Sequence, residues 1–388
     1  VKGRKTVFYR DGIDATVAVQ DIQSPRQQRM LVINGKVDAT TAGDMPTQKM
    51  VAHLPMLCRQ KASDVLIVGV GSGATIGGVL SYDVKHVDVV EISRDVIEAS
   101  RFFESVNGRY WEDPRVNVVW EDAKTYLQVS DRKYDVIISE PTNPWIIGVA
   151  GVFSKEYFEI CRDHLRPGGM FVQWIQGYEL EDSTFFMMLE TFTGVFPYYT
   201  MWNPTSADTV LVGATSPYRP DLNNMRSLAG KSAVKADLKL VGVESLLPIL
   251  AMQMRDSAGR YSHVKWTGGI HSDFFPVLEY AAARGFYVGS RAEGVKRLDL
   301  RNQSPANAGI WLNDYLGNNA PSAAEFRNCY ALSTVDRGLN DRQSWCWANA
   351  WSKAYPSDPD AGIAVAEQAG ADHDTILKKL GRPSDGLK

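Results

Sequence analysis

Three carboxyl-bearing or glycine-rich segments follow three apolar runs at nearly even spacing. Gly69-Val70-Gly71-Ser72-Gly73-Ala74 comes directly after Val65-Leu66-Ile67-Val68. Glycines at such a point allow a tight turn and a close backbone approach to a ligand. The helix that opens after them offers unpaired N–H groups to a polar or anionic group. Glu91 ends the next run, about 20 residues on, where a carboxylate can accept from both ribose hydroxyls of a nucleoside. Alone, it serves equally well as a solvated residue at a helix start. Asp122, followed by Ala123, ends the third run. It can accept from an adenine exocyclic amine, or simply cap the helix it precedes. Taken jointly, at the carboxyl ends of consecutive parallel strands, the three signals point to an adenosine-containing ligand.

A fourth run leads into Ser139-Glu140-Pro141-Thr142-Asn143-Pro144-Trp145. Two prolines stiffen this loop at the edge of the same crevice. Glu140 can act as a general base on an amine, or orient it, because a carboxylate attracts a cation and accepts its proton. Asn143 can only hydrogen-bond, and Trp145 can stack on a base or cover a cation. A stiff loop with a capping carboxylate is the plainer alternative, but its position beside the other three signals favours chemistry. The six histidines show no metal-ligand spacing, so no metal site is expected. No Gly-x-Ser-x-Gly elbow supports a hydrolase, and no Walker lysine follows the glycines.

The elements that must hold these residues are readable from periodicity. Residues 6–55 read as a small antiparallel β unit, with strand-length runs at 6–9, 15–19 and 30–33 and turn pairs Asp11-Gly12 and Asn34-Gly35. A helix begins after Asp44-Met45-Pro46. From Asp64, apolar runs alternate with helical stretches at 94–105, 123–128 and 154–165, which predicts a parallel, doubly wound α/β sheet. Val210-Leu211-Val212-Gly213 is expected to be a late strand of that sheet. Residues 216–270 give no clear pattern, and beyond about 300 the chain turns helical and Trp-rich. Domains are expected at 1–55, 56–290 and 291–388.

Composition narrows the class. The 388 residues are 44% hydrophobic and 22% charged, with a formal net charge of −3. That is a globular mix with ample core material, and it requires no basic face for nucleic acid. Four cysteines do not make a disulfide framework; Cys329 and Cys346 are expected as free thiols of a cytoplasmic protein. No run approaches the ~20 apolar residues of a membrane-spanning helix, and no signal peptide is visible. Opening on Val1, the chain is expected to be processed or cut from a longer reading frame.

Taken together, these residues resemble the spermidine synthase (polyamine aminopropyltransferase) family. The segments that carry the resemblance are Asn34-Gly35-Lys36-Val37, Asp44-Met45-Pro46-Thr47-Gln48, His53-Leu54-Pro55, residues 65–73, Val89-Val90-Glu91-Ile92, Glu121-Asp122-Ala123, residues 134–145 and Phe275-Pro276-Val277-Leu278-Glu279-Tyr280. The nearest resemblance is to the spermidine synthase-like domain of bacterial proteins fused to a transporter-like membrane region. It implies a Rossmann-like, methyltransferase-type sheet behind a small N-terminal β domain, with a helical C-terminal tail. It implies a donor, decarboxylated S-adenosylmethionine or S-adenosylmethionine, a small-molecule amine acceptor and no metal. A homo-oligomer and, for a longer fused chain, a membrane tether are further implications. Carried over position by position, Gln48 and Glu91, with Ile92, would hold the ribose side, and Asp122 and Ala123 the adenine. Gly69, Gly71, Ser72 and Gly73 would line the thioether. Glu140 and Asn143 would be catalytic, and Trp145 and Gln173 would meet the acceptor.

The sequence also departs from that family. Ser72 stands where members carry an Asp for the aminopropyl ammonium, and Asn143 replaces a second Asp; Thr47 and Ser206 stand where tyrosines are usual. Polyamines are bound through carboxylates and aromatic walls, so two lost carboxylates count against a polyamine acceptor. Losing the charge at 72 also admits ordinary S-adenosylmethionine as donor. Three readings follow: aminopropyl or related alkyl transfer to an amine; methyl or aminocarboxypropyl transfer; and a nucleoside-binding domain without activity.

Overall fold

The structure is a computed structural model that describes residues 3–23, 27–146, 148–205, 207–257, 268–298, 310–335 and 341–368. Ser206 falls outside them, as does the side chain of Cys346.

A four-stranded antiparallel sheet comes first, in the order β1 (Arg4–Asp11), β2 (Thr16–Ile22), β3 (Gln28–Ile33) and β4 (Lys36–Thr40). Asn34-Gly35, both at positive φ, form the tight β3–β4 turn. Helix α1 (Met45–Arg59) follows and is buried on nearly every side. It packs against the large sheet, α2 and α8, and this explains why its sequence shows no polar stripe.

The large sheet contains eight of the described strands, in the order β12-β10-β11-β9-β8-β5-β6-β7. Its parallel part runs through β5 (Asp64–Val68), α2 (Ala74–Leu80), β6 (His86–Glu91), α3 (Arg94–Ser100), α4 (Glu104–Asn107), β7 (Val116–Trp120), α5 (Ala123–Val129) and β8 (Tyr134–Ser139). Helix α6 (Lys155–Asp163) then leads to β9 (Leu165–Gln176), parallel to β8. The central runs are apolar because both faces are covered: Leu66, Ile67, Val89, Ile137 and Ile138 are fully buried, each contributing about 1.5–3 kcal/mol.

Beyond β9 the sheet is no longer parallel. After α7 (Asp182–Val195), β10 (Tyr198–Thr205) and β11 (Asp208–Ala214) form a hairpin, and β11 pairs antiparallel with β9. Helices α8 (Leu222–Ala229), α9 (Ser232–Lys239) and α10 (Leu246–Ala251) precede β12 (Gln253–Asp256), which closes the edge against β10. The all-parallel expectation therefore holds for five strands and fails for three. Strands β4, β10 and β12 were not anticipated, and the helix expected over 94–105 is broken into α3, a 3-10 turn and α4.

Helices α11 (Val277–Val288), α12 (Gly294–Leu298), α13 (Ile310–Asn318), α14 (Ala323–Val335), α15 (Asp341–Ala354) and α16 (Pro359–Gln368) complete the described residues. Trp311 on α13 packs on Trp202 of β10 at 5.6 Å, which joins the tail to the sheet. No helix of the described residues is long and apolar enough to cross a membrane.

Helix α9, in the stretch 216–270 that gave no clear pattern from sequence, holds α1 through Asp237. Asp237 on α9 accepts from Lys49 Nζ at 2.6 Å and lies 2.9 Å from His53 Nε2, both on α1. Lys49, fully buried, also donates to the carbonyls of Ala74 and Val106. A buried ammonium needs such complete pairing, and here it clamps α1 to the start of α2, just behind the glycine turn.

Candidate active site

Two chambers open at the carboxyl ends of the parallel strands and share a wall. One, of about 330 Å³, is lined by Gly69, Gly71, Glu91, Ile92, Asp122 and Ala123 together with Val68, Val90, Ile146 and Val149. The other, of about 360 Å³, is lined by Asp38, Asp44, Thr47, Gln48, Ser72, Thr75, Trp174, Tyr178 and Asp208. Gly69, Gly71, Asp38, Glu140, Pro141 and Thr142 border both.

The glycine turn is built by packing as much as for a ligand. Gly69 sits at φ +94°, and a Cβ there would lie 2.7 Å from the Glu140 carbonyl oxygen. This close approach lets strand ends β5 and β8 meet at the junction. Gly73, at φ +77°, meets Tyr110 and Asn107 instead and lines neither chamber. Glu91 is buried, and its two oxygens accept from the Val70 and Ser93 N–H groups at 2.8 Å. These bonds tie the carboxylate to the glycine turn. Burial pushes its pKa up, against those two bonds. Asp122 caps α5 by accepting from Thr125 N at 2.8 Å while also lining the first chamber. The capping and ligand-facing readings of this residue are therefore compatible.

Glu140 stands at the shared wall. Its residue surface is partly open to the chambers, but protein surrounds the carboxyl group, and that desolvation pushes its pKa up to about 8; Asp44, Asp38 and Asp208 add to the rise. Thr75 Oγ1 lies within reach of both Glu140 Oε2 and the Gln48 carbonyl. A hydroxyl has one proton to give. With Glu140 protonated, Thr75 donates to the carbonyl and accepts from the acid, so both contacts are satisfied.

The second chamber is acidic in a way the sequence did not reveal. Asp44 is the residue before α1, yet its carboxylate turns inward, accepting from Thr40 N and from Gln48 Nε2, each at 2.9 Å. Asp208, the first residue of β11, accepts from Thr47 and Thr205 hydroxyls at 2.7 Å and from Trp174 Nε1 at 3.0 Å. Burial raises both carboxyl groups above their ordinary range, a cost that a bound cation would relieve. The expected deficit of negative charge at Ser72 and Asn143 is thus met by Asp38, Asp44 and Asp208. A turn carboxylate and a hairpin carboxylate leave no local motif; the helix-start position of Asp44 was the one available signal.

The remaining sequence-based assignments divide. Gln48 and Ser72 hydrogen-bond each other and line the acidic chamber, away from Glu91. Ile92 is exposed at the rim of the first chamber. Asn143 is buried and lines neither chamber: Lys36 Nζ donates to its Oδ1, and its Nδ2 donates to Tyr178 Oη at 3.3 Å. Trp145 stacks on Phe286 with centroids 5.2 Å apart. Gln173 is fully buried in β9, bonded to the Trp174 carbonyl, and lines neither chamber. Lys36, Thr75 and Tyr178 were not anticipated.

A family model described as the spermine/spermidine synthase domain matches residues 45–215. The polyamine aminopropyltransferase 1 of Aquifex aeolicus is 32% identical over 193 residues, 47% of this chain and 68% of that protein. The chain belongs to this family. The polyamine aminopropyltransferase of Pseudomonas syringae pv. tomato is 33% identical over 153 residues, 39% of this chain and 53% of that one. That of Archaeoglobus fulgidus is 31% identical over 163 residues, 42% and 58%. The match thus spans little more than half the length of these last two relatives. Among solved structures, the spermidine synthase from Thermotoga maritima covers 61% of this chain and 88% of its own, at 21% identity and a TM-score of 0.48.

Proposed function

We propose that this chain transfers an aminopropyl group from decarboxylated S-adenosylmethionine to a small-molecule amine. The observation that supports the reading is Glu140: one carboxyl group whose pKa burial pushes up to about 8, on the wall shared by the two chambers. The adenosine would fill the first chamber, with Glu91 toward the ribose and Asp122 toward the adenine. The sulfonium-bound carbon would face Glu140 across the glycine turn.

The protein has little covalent chemistry to perform, since the sulfonium already makes its carbon electrophilic. It must hold the amine in line and take its proton. A carboxylate near 8 accepts a proton from an alkylammonium far more readily than one near 4.5, because the mismatch with the amine is smaller. The freed lone pair then attacks the carbon, the C–S bond breaks, and methylthioadenosine leaves with its electrons. The acidic chamber suits two positive charges, the donor's ammonium and the incoming amine. The same charge opposes the carboxylate of ordinary S-adenosylmethionine, so the decarboxylated donor is favoured despite Ser72. Methyl transfer in the Asn-Pro style needs the Asn143 oxygen for the amine, and Lys36 already holds it. Buried free thiols at Cys58, Cys161 and Cys329 suit a cytoplasmic setting. Residues 56–290 would form the catalytic part, with 1–55 and 291–388 as its flanking units.

The test is product analysis after incubation with each donor and a panel of amines. Methylthioadenosine from the decarboxylated donor is expected. S-adenosylhomocysteine from the ordinary donor, or neither product across the panel, overturns the reading.

A further inference from the structure

Lys36 reaches toward the acceptor side from β4. Its Nζ donates to Asn143 Oδ1 and lies 4.9 Å from the Trp145 centroid and 5.8 Å from that of Tyr178. Tyr178 is itself a wall of the acidic chamber. Phe286 backs Trp145, and the Asn143–Tyr178 hydrogen bond locks the cage. Burial lowers the Lys36 pKa from its ordinary value, and Asp38, Glu179 and Asp208 oppose that fall at longer range. An amide oxygen, two aromatic rings and distant carboxylates are what the free end of an alkylammonium substrate would need. Here the chain's own lysine fills that cage.

We propose that Lys36 is a specificity-determining residue whose ammonium stands in for the distal ammonium of a diamine, so that the acceptor is an amine with a single charged end. This rests on reading the acidic chamber as the acceptor side. The donor's ammonium and the reacting amine account for two charges there, and a third placed against Tyr178 would lie next to the Lys36 ammonium. Like charges a few ångströms apart repel strongly where water is scarce.

The test is calorimetric titration of the chain, with and without methylthioadenosine, by n-butylamine and by 1,4-diaminobutane. For the natural chain the diamine should bind no more than about threefold tighter than the monoamine. Lys36→Met keeps the aliphatic stem and removes the charge; it should shift the ratio toward the diamine by about tenfold or more. Lys36→Arg should leave the ratio unshifted. Methylthioadenosine affinity serves as the check on folding, with Lys36→Gln as a second charge-free variant. A natural chain that prefers the diamine by about tenfold, or a ratio unmoved in both neutral variants, overturns the proposal. Binding of neither amine to any variant sinks the acceptor reading and this inference together. Amine binding without turnover counts only against the transfer reaction, and the ratio still decides the role of Lys36.

Discussion

The two chambers share a wall but are made differently. The side proposed for the nucleoside combines aliphatic side chains with six carboxyl groups, of which Glu91 is held by backbone N–H groups. Its residues come from the parallel-strand ends and the loop after β8, joined by Asp14, Ala15, Ile33, Asn34 and Asp38 of the N-terminal unit. The acidic side draws Asp38 and Asp44 from the N-terminal unit, Tyr178 from beyond β9 and Asp208 from an antiparallel hairpin. The glycine turn, Glu91 and Asp122 of the first follow from parallel winding, since the strand ends must converge. The small sheet closes over both chambers, and the hairpin closes over the second alone. On the proposed assignment, substitutions in the hairpin would change the acceptor side and leave the nucleoside side in place.

The sharpest break in this comparison is at the shared wall. Glu140→Gln should lower turnover on the order of 10²–10⁴-fold and leave methylthioadenosine affinity near that of the natural chain; unchanged turnover removes Glu140 as the base. Asp122→Ala should weaken nucleoside binding by about 10-fold or more, the loss of a charge-assisted hydrogen bond, with little change in amine KM. Asp122→Asn keeps the cap and separates that contribution from helix stability. An equal effect on the amine would show that the chambers are not independent. Asp208→Asn should do the reverse, raising amine KM about 10-fold with nucleoside affinity unmoved.

The pH dependence distinguishes the wall from both sides. Glu140 must be ionised to take a proton, so kcat/KM should fall as pH drops below about 8. Stability runs the other way. The folded pKa lies above the ordinary 4.5, so the folded state binds the extra proton and stability declines as pH rises from about 4.5 to 8. The natural chain should therefore unfold more easily than Glu140→Gln above pH 8, by a few kcal/mol at most, and the gap should close near pH 4. A gap that is independent of pH would place the Glu140 carboxyl group in water.

Much of this was legible in the sequence where the signal is local. The apolar run at 65–68, the glycines after it and the carboxylates at 91, 122 and 140 mark strand ends, and buried parallel strands announce themselves by composition. Strands β10 and β12 escaped because the first is an aromatic run behind Pro197 and the second has only four residues, Gln253–Asp256, of which three are polar or charged. Asn143 and Gln173 carried ligand-like residue types, but each is turned into protein, bonded to Lys36 and Tyr178 in one case and to the Trp174 carbonyl in the other.

By itself, then, the sequence determined the winding of the parallel strands, the glycine turn and the carboxylate at each strand end, because hydrogen-bonded elements follow from periodicity over a few residues. The tertiary structure alone decided which charges share a chamber. Thr47 and Asp208 are 161 positions apart and hydrogen-bonded. Lys36 lies 107 positions from the amide that holds it. Burial, and with it the rise of the Glu140 pKa, depends on what closes over a side chain from elsewhere in the chain, and no local pattern records that.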